Sequence, residues 1–455
     1  MMQNRENFGS NTVAIMALAG SAIGLGNIWR FPYMVGEHGG AAFIVIYLLA
    51  SLLLSLPIMM SETVIGRRSH SNTFGAMRSL APGSKWHYLG LLTVISPLII
   101  LSYYSVVGGW SIDYLLRSLT GSFLNKDASL LSAEFAGAIS SPLKPIIFQT
   151  VFLLACALVV SAGVKSGIER FNKLTIPLLF VLILAIMIYS LTLPGAMRGV
   201  EYLVKPDFSK ITASTVSYAV GQSFFSLSLG VGTVLTYSSY IGKRENILMS
   251  GLGTTVFDLL FALIAGFAIM PAVFAAGIEP GAGPGLIFET LPFIFSSMGE
   301  ATPILSSVVA VLFFVTICVA ALTSAISMYE VGVAYLVEEK GVGRKKAVWL
   351  LFAGIWALGA LCSLSFGALS GVKLFGLTIF NFCDTLTSNF LMMFGALLFV
   401  LFAGWKMKKG DVRDEFSNGG KFKFNDAVFG TFYFLLKYVA PVGMVMIFVT
   451  NFIGS

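Results

Sequence analysis

Charged side chains are scarce in this 455-residue chain. Asp, Glu, Lys and Arg together make up 11% of the residues, against 56% hydrophobic residues, and the mean hydropathy is +0.86. A soluble domain of this length could not keep so much apolar surface away from water. The composition therefore excludes a soluble globular protein and indicates a chain embedded in a lipid bilayer.

Histidine and cysteine are scarcer still, which leaves catalysis and redox chemistry without candidate residues. The three histidines fall in predicted loops, and the four cysteines lie in or beside apolar runs without C-x-x-C spacing: Cys156, Cys318, Cys362 and Cys383. Packed thiols are the favoured interpretation of the four. We therefore predict that the chain is not an enzyme. Its net charge of +7 is spread over six loops, which does not indicate nucleic-acid binding.

Long apolar runs recur along the whole chain, each with about the 20 residues that a helix needs to cross a bilayer. There are eleven, at about 12–35, 41–66, 88–118, 146–163, 167–192, 214–239, 248–276, 304–337, 347–367, 376–404 and 428–452. The first run lacks the small-residue cleavage site of a signal peptide, so we count it as a span. No linker is long enough for a separate soluble domain. We predict a single all-α polytopic membrane domain over residues 1–455.

Lysine and arginine placement predicts the orientation of these spans. With a cytoplasmic N-terminus, the basic clusters after spans 2, 4, 6, 8 and 10 all face the cytoplasm, and only a thin scatter of basic residues faces outward. An odd number of spans then puts the C-terminus outside the cytoplasm.

The first apolar run is interrupted where a spanning helix should be continuous. Residues 20–32 read GSAIGLGNIWRFP, with three glycines, an asparagine, an arginine and a proline in thirteen positions. Glycine frees the backbone and proline removes a donor, so we predict that the helix opens between Ala22 and Gly26. Open backbone at membrane depth is tolerated only where it is buried in protein or lines a cavity. The interruption therefore predicts a binding site.

The sixth run carries a second mixture of this kind, with residues 219–233 reading AVGQSFFSLSLGVGT. Interrupted helices in corresponding positions of two halves are typical of inverted-repeat transporters, with the site near the midplane. The alternative is that both are small-residue packing faces, since Gly20 and Gly24 form a GxxxG pattern. That alternative does not account for Asn27, Arg30 or Gln222.

Carboxylates inside predicted spans are a further indication of function, because they are costly there. Asp258 lies in span 7 among apolar residues, and Glu62, Glu330 and Asp384 lie in or at the ends of other spans. Span 8 also carries Thr323 and Ser324, whose hydroxyls could bind an ion or simply bond to the preceding helical turn. Oxygen-rich sites at opened helices suit Na⁺, and half-helix N-termini suit a carboxylate.

Three segments together resemble the signature segments of the neurotransmitter:sodium symporter family. They are residues 20–32, residues 221–230 (GQSFFSLSLG) and residues 320–324 (AALTS). The resemblance runs over nearly the whole chain and includes Glu62, Arg67, residues 167–170 and the pair Tyr103 and Tyr104. The chain looks like a bacterial amino-acid transporter of this family, in the subgroup with eleven spans, and so implies the inner (plasma) membrane of a bacterium.

The resemblance implies the LeuT fold, named after the bacterial leucine transporter. In that fold two inverted five-helix repeats, here about 10–192 and 214–404, have broken helices 1 and 6, and residues 428–452 form an eleventh transmembrane helix. The implied partners are a neutral amino-acid substrate and the lipid bilayer, with no nucleic acid. The implied assembly is a monomer or weak oligomer.

Two sodium sites are implied by matching motifs. The first would use the Ala22 carbonyl with Asn27, Ser226 and Asp258, together with the substrate carboxylate. The second would use main-chain carbonyls and two hydroxyls: Gly20, Ile23, Ala320, Thr323 and Ser324.

The resemblance also implies a substrate site. The substrate carboxylate would meet sodium, the amides of Leu25 and Gly26 and the hydroxyl of Tyr104. The ammonium would meet the carbonyls of Ala22, Phe225 and Ser226, with Ser228 nearby. The residues around the side chain would be Ser21, Ile100, Tyr104, Phe225, Val231, Ser324, Ser327 and Met328.

Gly24 points to the class of substrate. Relatives that carry monoamines have an Asp at this place, whereas Gly24 leaves room for an α-carboxylate beside sodium. The implied pocket has no charge partner, so a charged side chain would be desolvated without compensation. Val231 replaces a bulkier aromatic residue of the leucine carrier. We expect a large hydrophobic or aromatic amino acid such as tyrosine, tryptophan or leucine.

Asp258 bears on the coupling ions. Chloride-dependent animal relatives have a neutral residue there and bind chloride near the positions of Tyr47, Gln222 and Ser226. Here Asp258 would supply the negative charge, so we expect transport without a chloride requirement. Its protonation during the return step would give proton antiport.

Alternating access needs gates on both sides. Arg30 and Asp384 resemble an outer ionic gate, with Tyr104 and Phe225 as a lid over the substrate. Arg5 and Glu338 resemble an inner latch. Two alternative functions stay open at this point: a proton-coupled amino-acid carrier of the same fold, and a non-transporting amino-acid sensor in the membrane.

Overall fold

The structure, a computed structural model, describes residues 8, 10–243, 245–277, 287–421 and 426–453. In these residues nine uninterrupted apolar helices are long enough to cross a membrane. They are Ala41–Ser69 (span 2), His87–Leu119 (span 3), Lys144–Ser161 (span 4), Val164–Leu191 (span 5), Ile247–Ala275 (span 7), Pro303–Lys340 (span 8), Arg344–Leu364 (span 9), Ile379–Lys406 (span 10) and Asp426–Val449 (span 11). One bent pair of helices forms span 1 and brings the count to ten. We take two shorter helices, Ala213–Ser226 and Thr233–Ser238, as the broken span 6, and the total of eleven stays a prediction.

Span 1 consists of two helices, Thr12–Ala22 and Gly26–Glu37, whose axes differ by 56°. The first begins after Ser10, whose side chain accepts from the amide of Val13 and so caps the helix. It ends where Ile23 turns to extended backbone with ψ of 109°. The predicted opening between Ala22 and Gly26 is confirmed.

Span 6 consists of Ala213–Ser226 and Thr233–Ser238, separated by six residues without helical structure. Ser228, Gly230 and Gly232 have φ angles of 52°, 78° and 74°. This left-handed backbone costs little for glycine, and it turns the chain out of the helix. A Cβ on Gly230 would lie 1.9 Å from the carbonyl oxygen of Met392 in span 10, so only glycine fits this close approach.

Glu62, in span 2, stabilises the open backbone at the break in span 6. Its Oε1 accepts from the amide of Gly230 at 2.7 Å, and the residue is fully buried. The carboxylate therefore satisfies a main-chain donor that the interrupted helix leaves without an intrahelical partner.

The unbroken spans enclose the broken ones. Span 3 packs along span 8 and against spans 4 and 9, while the first half of span 1 packs against spans 5, 7 and 8. The second half of span 6 packs against spans 2 and 8. Both breaks therefore lie inside the bundle, where open backbone is shielded from lipid.

Short helices cover the two ends of the bundle. Thr73–Leu80 and Lys409–Ser417 connect spans at one end. Ala128–Ser140, Ala196–Val204 and Thr290–Ala301 connect spans at the other. In the described part of the chain, the only strands are β1 (Lys373–Leu374) and β2 (Leu377–Thr378), an antiparallel pair between spans 9 and 10.

Candidate functional site

A small cavity lies between the two breaks. Its described wall is formed by residues of spans 1, 3, 6, 8 and 10: Ala22, Gly24, Leu25, Gly26, Ile100, Tyr104, Phe225, Ser228, Val231, Ser324, Met328 and Met392.

Eleven of the fourteen predicted substrate residues line this cavity. The other three lie directly behind the wall. The hydroxyl of Ser21 donates to that of Ser327 at 2.9 Å, and Ser327 donates to the carbonyl of Ser324. Ser226 belongs to the polar cluster described below. Met392, which the sequence prediction missed, completes the apolar part of the wall from span 10.

The polar end of the cavity is formed by opened backbone. The amide of Leu25 donates to the hydroxyl of Tyr104 at 3.4 Å, and the hydroxyl of Ser228 donates to the carbonyl of Ser21 at 3.1 Å. A Cβ on Gly24 would lie 2.3 Å from Oγ of Ser324 and 3.2 Å from the hydroxyl of Tyr104. The space beside Gly24 is therefore too narrow for any side chain of its own.

A first oxygen cluster, consisting of Asn27, Ser226 and Asp258, brings together spans 1, 6 and 7. Nδ2 of Asn27 donates to Oδ1 of Asp258 at 2.7 Å and to Oγ of Ser226 at 3.0 Å. Oγ of Ser226 lies 2.9 Å and 2.8 Å from the two carboxylate oxygens of Asp258. Each of the three residues is at most 1% exposed. A buried carboxylate is thus held by neutral donors, with no cationic side chain among these contacts.

The residues around the first cluster include those predicted near a chloride site in relatives. The hydroxyl of Tyr47 is 3.4 Å from Oγ of Ser226, so it lies against the cluster. Gln222 instead donates to the carbonyl of Gly26 at 3.0 Å. Oδ1 of Asn27 accepts from the amide of Gly24 at 3.1 Å, which fixes the asparagine to the break itself.

A second oxygen cluster joins span 8 to the end of the first half of span 1. It consists of the hydroxyls of Thr323 and Ser324 and the carbonyls of Ile23 and Ala320. Thr323 and Ser324 donate to the carbonyl of Ile23 at 3.2 Å and 3.3 Å, and Thr323 lies 2.9 Å from the carbonyl of Ala320. Both hydroxyls therefore reach another span. The contact of Thr323 with Ala320 is a bond to the preceding turn of its own helix, and a role of the two hydroxyls in binding an ion stays a prediction.

The predicted outer gate is not paired in this conformation. Arg30 donates to Oε1 of Gln222 at 3.0 Å, and its guanidinium lies 4.8 Å from the ring centre of Phe225. Asp384 accepts from the hydroxyl of Ser388 at 2.9 Å. Both gate residues are described, and they form no ion pair with each other. Arg30 instead covers the aromatic ring that lines the cavity.

The predicted inner latch can be described only on one side, because Arg5 lies outside the described residues. Glu338 accepts from the amide of Asn72 at 2.7 Å and from its Nδ2 at 3.0 Å. Nearby, Phe8 is buried against Tyr237 and Tyr240, and its amide donates to the carbonyl of Tyr240. Phe8 therefore packs against the end of span 6.

Comparison with known proteins places this geometry in a family. The sequence model described as "Sodium:neurotransmitter symporter family" matches residues 5–133 and 126–455. An uncharacterized sodium-dependent transporter, YhdH of Bacillus subtilis, is 40% identical over 97% of this chain and 96% of its own length. The sodium-dependent serotonin transporter of Drosophila melanogaster is 26% identical over 99% of this chain and 77% of its own length.

A solved structure is similar over almost the whole chain. The crystal structure of MhsT in complex with L-phenylalanine is 40% identical, covers 98% of this chain and 100% of its own, and superposes with a TM-score of 0.90. The predicted LeuT fold and the prediction that the chain is no enzyme are both confirmed by these relatives. With its many spans and its two breaks, the chain belongs to the sodium:neurotransmitter symporter family of membrane transporters.

Proposed function

We propose that this chain carries out sodium-coupled symport of a neutral, large hydrophobic or aromatic L-amino acid by alternating access. The observation that carries the proposal is the cavity between the two breaks, which has opened backbone at one end and an apolar wall at the other. Such a cavity matches a zwitterionic head group and an apolar side chain.

The class of substrate follows from the wall. None of the twelve described residues that line the cavity carries a charge, so a charged substrate side chain would be desolvated without a partner. A side chain at position 24 would collide with Oγ of Ser324, so glycine keeps the polar end of the cavity, near the amide of Leu25 and the hydroxyl of Tyr104, open for the α-carboxylate. That MhsT was solved with L-phenylalanine supports an aromatic amino acid as substrate here.

The two oxygen clusters are the proposed sodium sites. In the first, Na⁺ would meet the Ala22 carbonyl, Asn27, Ser226, Asp258 and the substrate carboxylate, which couples ion and substrate directly. In the second, Na⁺ would meet the carbonyls of Gly20, Ile23 and Ala320 and the two hydroxyls of span 8. Opened helices supply carbonyl oxygens of this kind to Na⁺ in transporters with broken spans.

Asp258 is the reason why we propose that transport does not require chloride. Its carboxylate already places one negative charge beside Ser226, where the chloride-dependent relatives would need an anion. When Na⁺ has left, an isolated charge would be costly to bury, so a proton on Asp258 would accompany the return step and give proton antiport.

The gates and the orientation complete the proposal. Arg30 and Asp384 would pair when the outer side closes, and Arg5 and Glu338 when the inner side closes. The N-terminus would be cytoplasmic and the C-terminus extracytoplasmic in a bacterial inner membrane, with residues 10–192 and 214–404 as the two inverted repeats. The protein would act as a monomer or weak oligomer.

Uptake into proteoliposomes tests this proposal. We expect inward Na⁺ gradients to drive accumulation of phenylalanine, tyrosine, tryptophan or leucine, with or without chloride. Aspartate, lysine and tyramine, which lacks the carboxylate, should not accumulate. Gly24→Ala should abolish uptake, whereas Gly354→Ala in span 9, where a Cβ would meet nothing within 4 Å, should leave it unchanged.

The same assay distinguishes the two alternatives. Uptake driven by a proton gradient in Na⁺-free buffer would identify a proton-coupled carrier. Tight binding of the amino acid without flux under any gradient would identify a sensor. Either result would overturn the proposed symport.

A further inference from the structure

Asn172, in span 5, has a buried side-chain amide with no hydrogen-bond partner at either end. The residue is 1% exposed, and both Oδ1 and Nδ2 lack a partner. Leaving one such buried polar group unsatisfied costs about 1 to 3 kcal/mol. Orphaned buried polar groups in native proteins call for an explanation such as a bound water or ion.

A polar neighbour on the same span, by contrast, has a hydrogen-bond partner. Thr175 lies one turn further along span 5 and is 5% exposed. Its hydroxyl donates to the carbonyl of Phe171 at 2.9 Å, so it is satisfied within its own helix. Asn172 makes no such contact, and its amide is directed to another element instead.

That element is the end of the first half of span 1. A Cβ on Gly20 would lie 2.8 Å from Oδ1 and 3.3 Å from Nδ2 of Asn172, so the amide packs against the bare Cα of Gly20. Any larger residue at position 20 would collide with the side-chain amide of Asn172. The contact joins spans 5 and 1, which pack against each other along this half of span 1.

At the end of this half-helix, main-chain carbonyls lose their intrahelical hydrogen-bond donors. The amide of Ile23 still donates to the carbonyl of Ala19, but the amide of Gly24, which would donate next to the carbonyl of Gly20, donates to Asn27 instead. Carbonyls at a helix C-terminus carry a partial negative charge that favours cations. Thr323 and Ser324 approach this end from span 8, at the carbonyl of Ile23. Asn172 approaches it from span 5.

We propose that Asn172 is a further cation-binding residue of the second sodium site, with its side-chain oxygen directed at the ion or at a water bound to the ion. The inference rests on the proposed function, which places Na⁺ at the second oxygen cluster. The ion, with its water, supplies the partner that the amide lacks. Asn172 thereby adds a contribution from a third span to a site formed by spans 1 and 8.

The test is the Na⁺ dependence of phenylalanine binding to the purified full chain, measured at constant ionic strength with K⁺ as the replacement ion. Asn172→Ala should raise the Na⁺ concentration for half-maximal binding by about tenfold, the effect typical of losing an outer partner of a bound metal. Asn172→Asp should lower that concentration, because a negative charge faces the cation. Binding at saturating Na⁺ should be preserved in both variants.

Matched controls separate this role from packing. Thr175→Ala, on the same span, should leave the Na⁺ dependence unchanged. Gly20→Ala should act in the same direction as Asn172→Ala, since its Cβ would displace the amide, and the double variant should be no worse than the more affected single one. If Asn172→Ala does not yield folded protein, the result for Asn172→Asp tests the proposal by itself. Tighter Na⁺ binding in that variant supports a role at the ion, because a packing role does not predict it.

The failure of this inference differs from failure of the proposed function. An unchanged half-saturation in both Asn172 variants, with Thr323→Ala clearly shifted, would overturn the role of Asn172 and leave the second site in place. An unchanged Na⁺ dependence in Thr323→Ala would overturn the second site itself.

Discussion

The two oxygen clusters that flank the break in span 1 differ in charge and in how completely their polar atoms are partnered. In the first, every side-chain polar atom of Asn27, Ser226 and Asp258 has a hydrogen-bond partner, and one residue is a carboxylate. In the second, Thr323 and Ser324 donate to main-chain carbonyls, and Asn172, which packs against Gly20, has no partner. The polar side-chain atoms of the first cluster are therefore all hydrogen-bonded, whereas a buried amide beside the second site has no hydrogen-bond partner.

Under the proposed function, this difference makes the two sodium sites unequal. A carboxylate attracts a cation strongly in a buried site, so the first cluster needs a positive charge or a proton to balance it. The second offers only dipoles and a half-helix end, which attract a cation more weakly. We therefore expect the first cluster to govern whether transport occurs, and the second to set the Na⁺ concentration at which it occurs.

The largest effect is expected at the charged cluster. Asp258→Asn removes the negative charge but keeps the shape, so uptake in chloride-free medium should fall by at least about 100-fold, or about 2.8 kcal/mol. Chloride should restore part of it by supplying an anion near Ser226 and Tyr47. Uptake by proteoliposomes with chloride or gluconate outside measures both effects.

A surface carboxylate provides the control. Glu201→Gln removes the partner of Lys205 in a pair whose two side chains are both exposed, and should change uptake little. If Asp258→Asn transports normally without chloride, the central difference between the two clusters is wrong.

A smaller effect is expected at the neutral cluster. Thr323→Ala should raise the Na⁺ concentration for half-maximal uptake by roughly 10- to 100-fold, or about 1.4 to 2.8 kcal/mol, and leave the maximal rate largely intact. Thr316→Ala, whose hydroxyl only bonds back to Leu312 in the same span, is the matched control. Equal shifts in the two variants would show that span 8 hydroxyls act only through helix packing.

The smallest effect is expected at the apolar end of the cavity, away from both clusters. Val231→Phe should weaken phenylalanine binding by roughly 5- to 10-fold, since added side-chain volume overpacks the wall, and weaken alanine binding less. The Na⁺ dependence should not change. A shift in Na⁺ dependence as large as that of Thr323→Ala would mean that the substrate side chain and the ions are not separated as we describe.

The sequence was sufficient for the spans and for the position of the break. A bilayer permits only helices of about 20 apolar residues, so the runs predict the spans, and the glycines with Pro32 in residues 20–32 predict the opening. The residues of the cavity wall came from the family resemblance. Periodicity alone could not have brought Tyr104, Phe225 and Ser324 together, because they lie in three spans far apart in the chain.

What the sequence did not predict depends on side-chain contacts between distant segments. Met392 joins the cavity wall only because Gly230 lets span 10 approach the break in span 6. Arg30 contacts Gln222 and Phe225 in place of Asp384, and both of these residues lie in span 6, far from Arg30 in the chain. Asn172 reads in the sequence as one polar residue near the end of an apolar run. Its lack of a partner emerges only when span 5 is packed against Gly20.

The central claim is that the break in span 1 binds sodium and substrate together. Equilibrium binding of labelled phenylalanine to the purified protein, titrated with Na⁺ against K⁺, tests it most directly. Our account predicts no measurable binding in K⁺ alone and a cooperative rise with Na⁺, with a Hill coefficient approaching about 2 that Thr323→Ala reduces. Equally tight binding in K⁺ and in Na⁺ would contradict it.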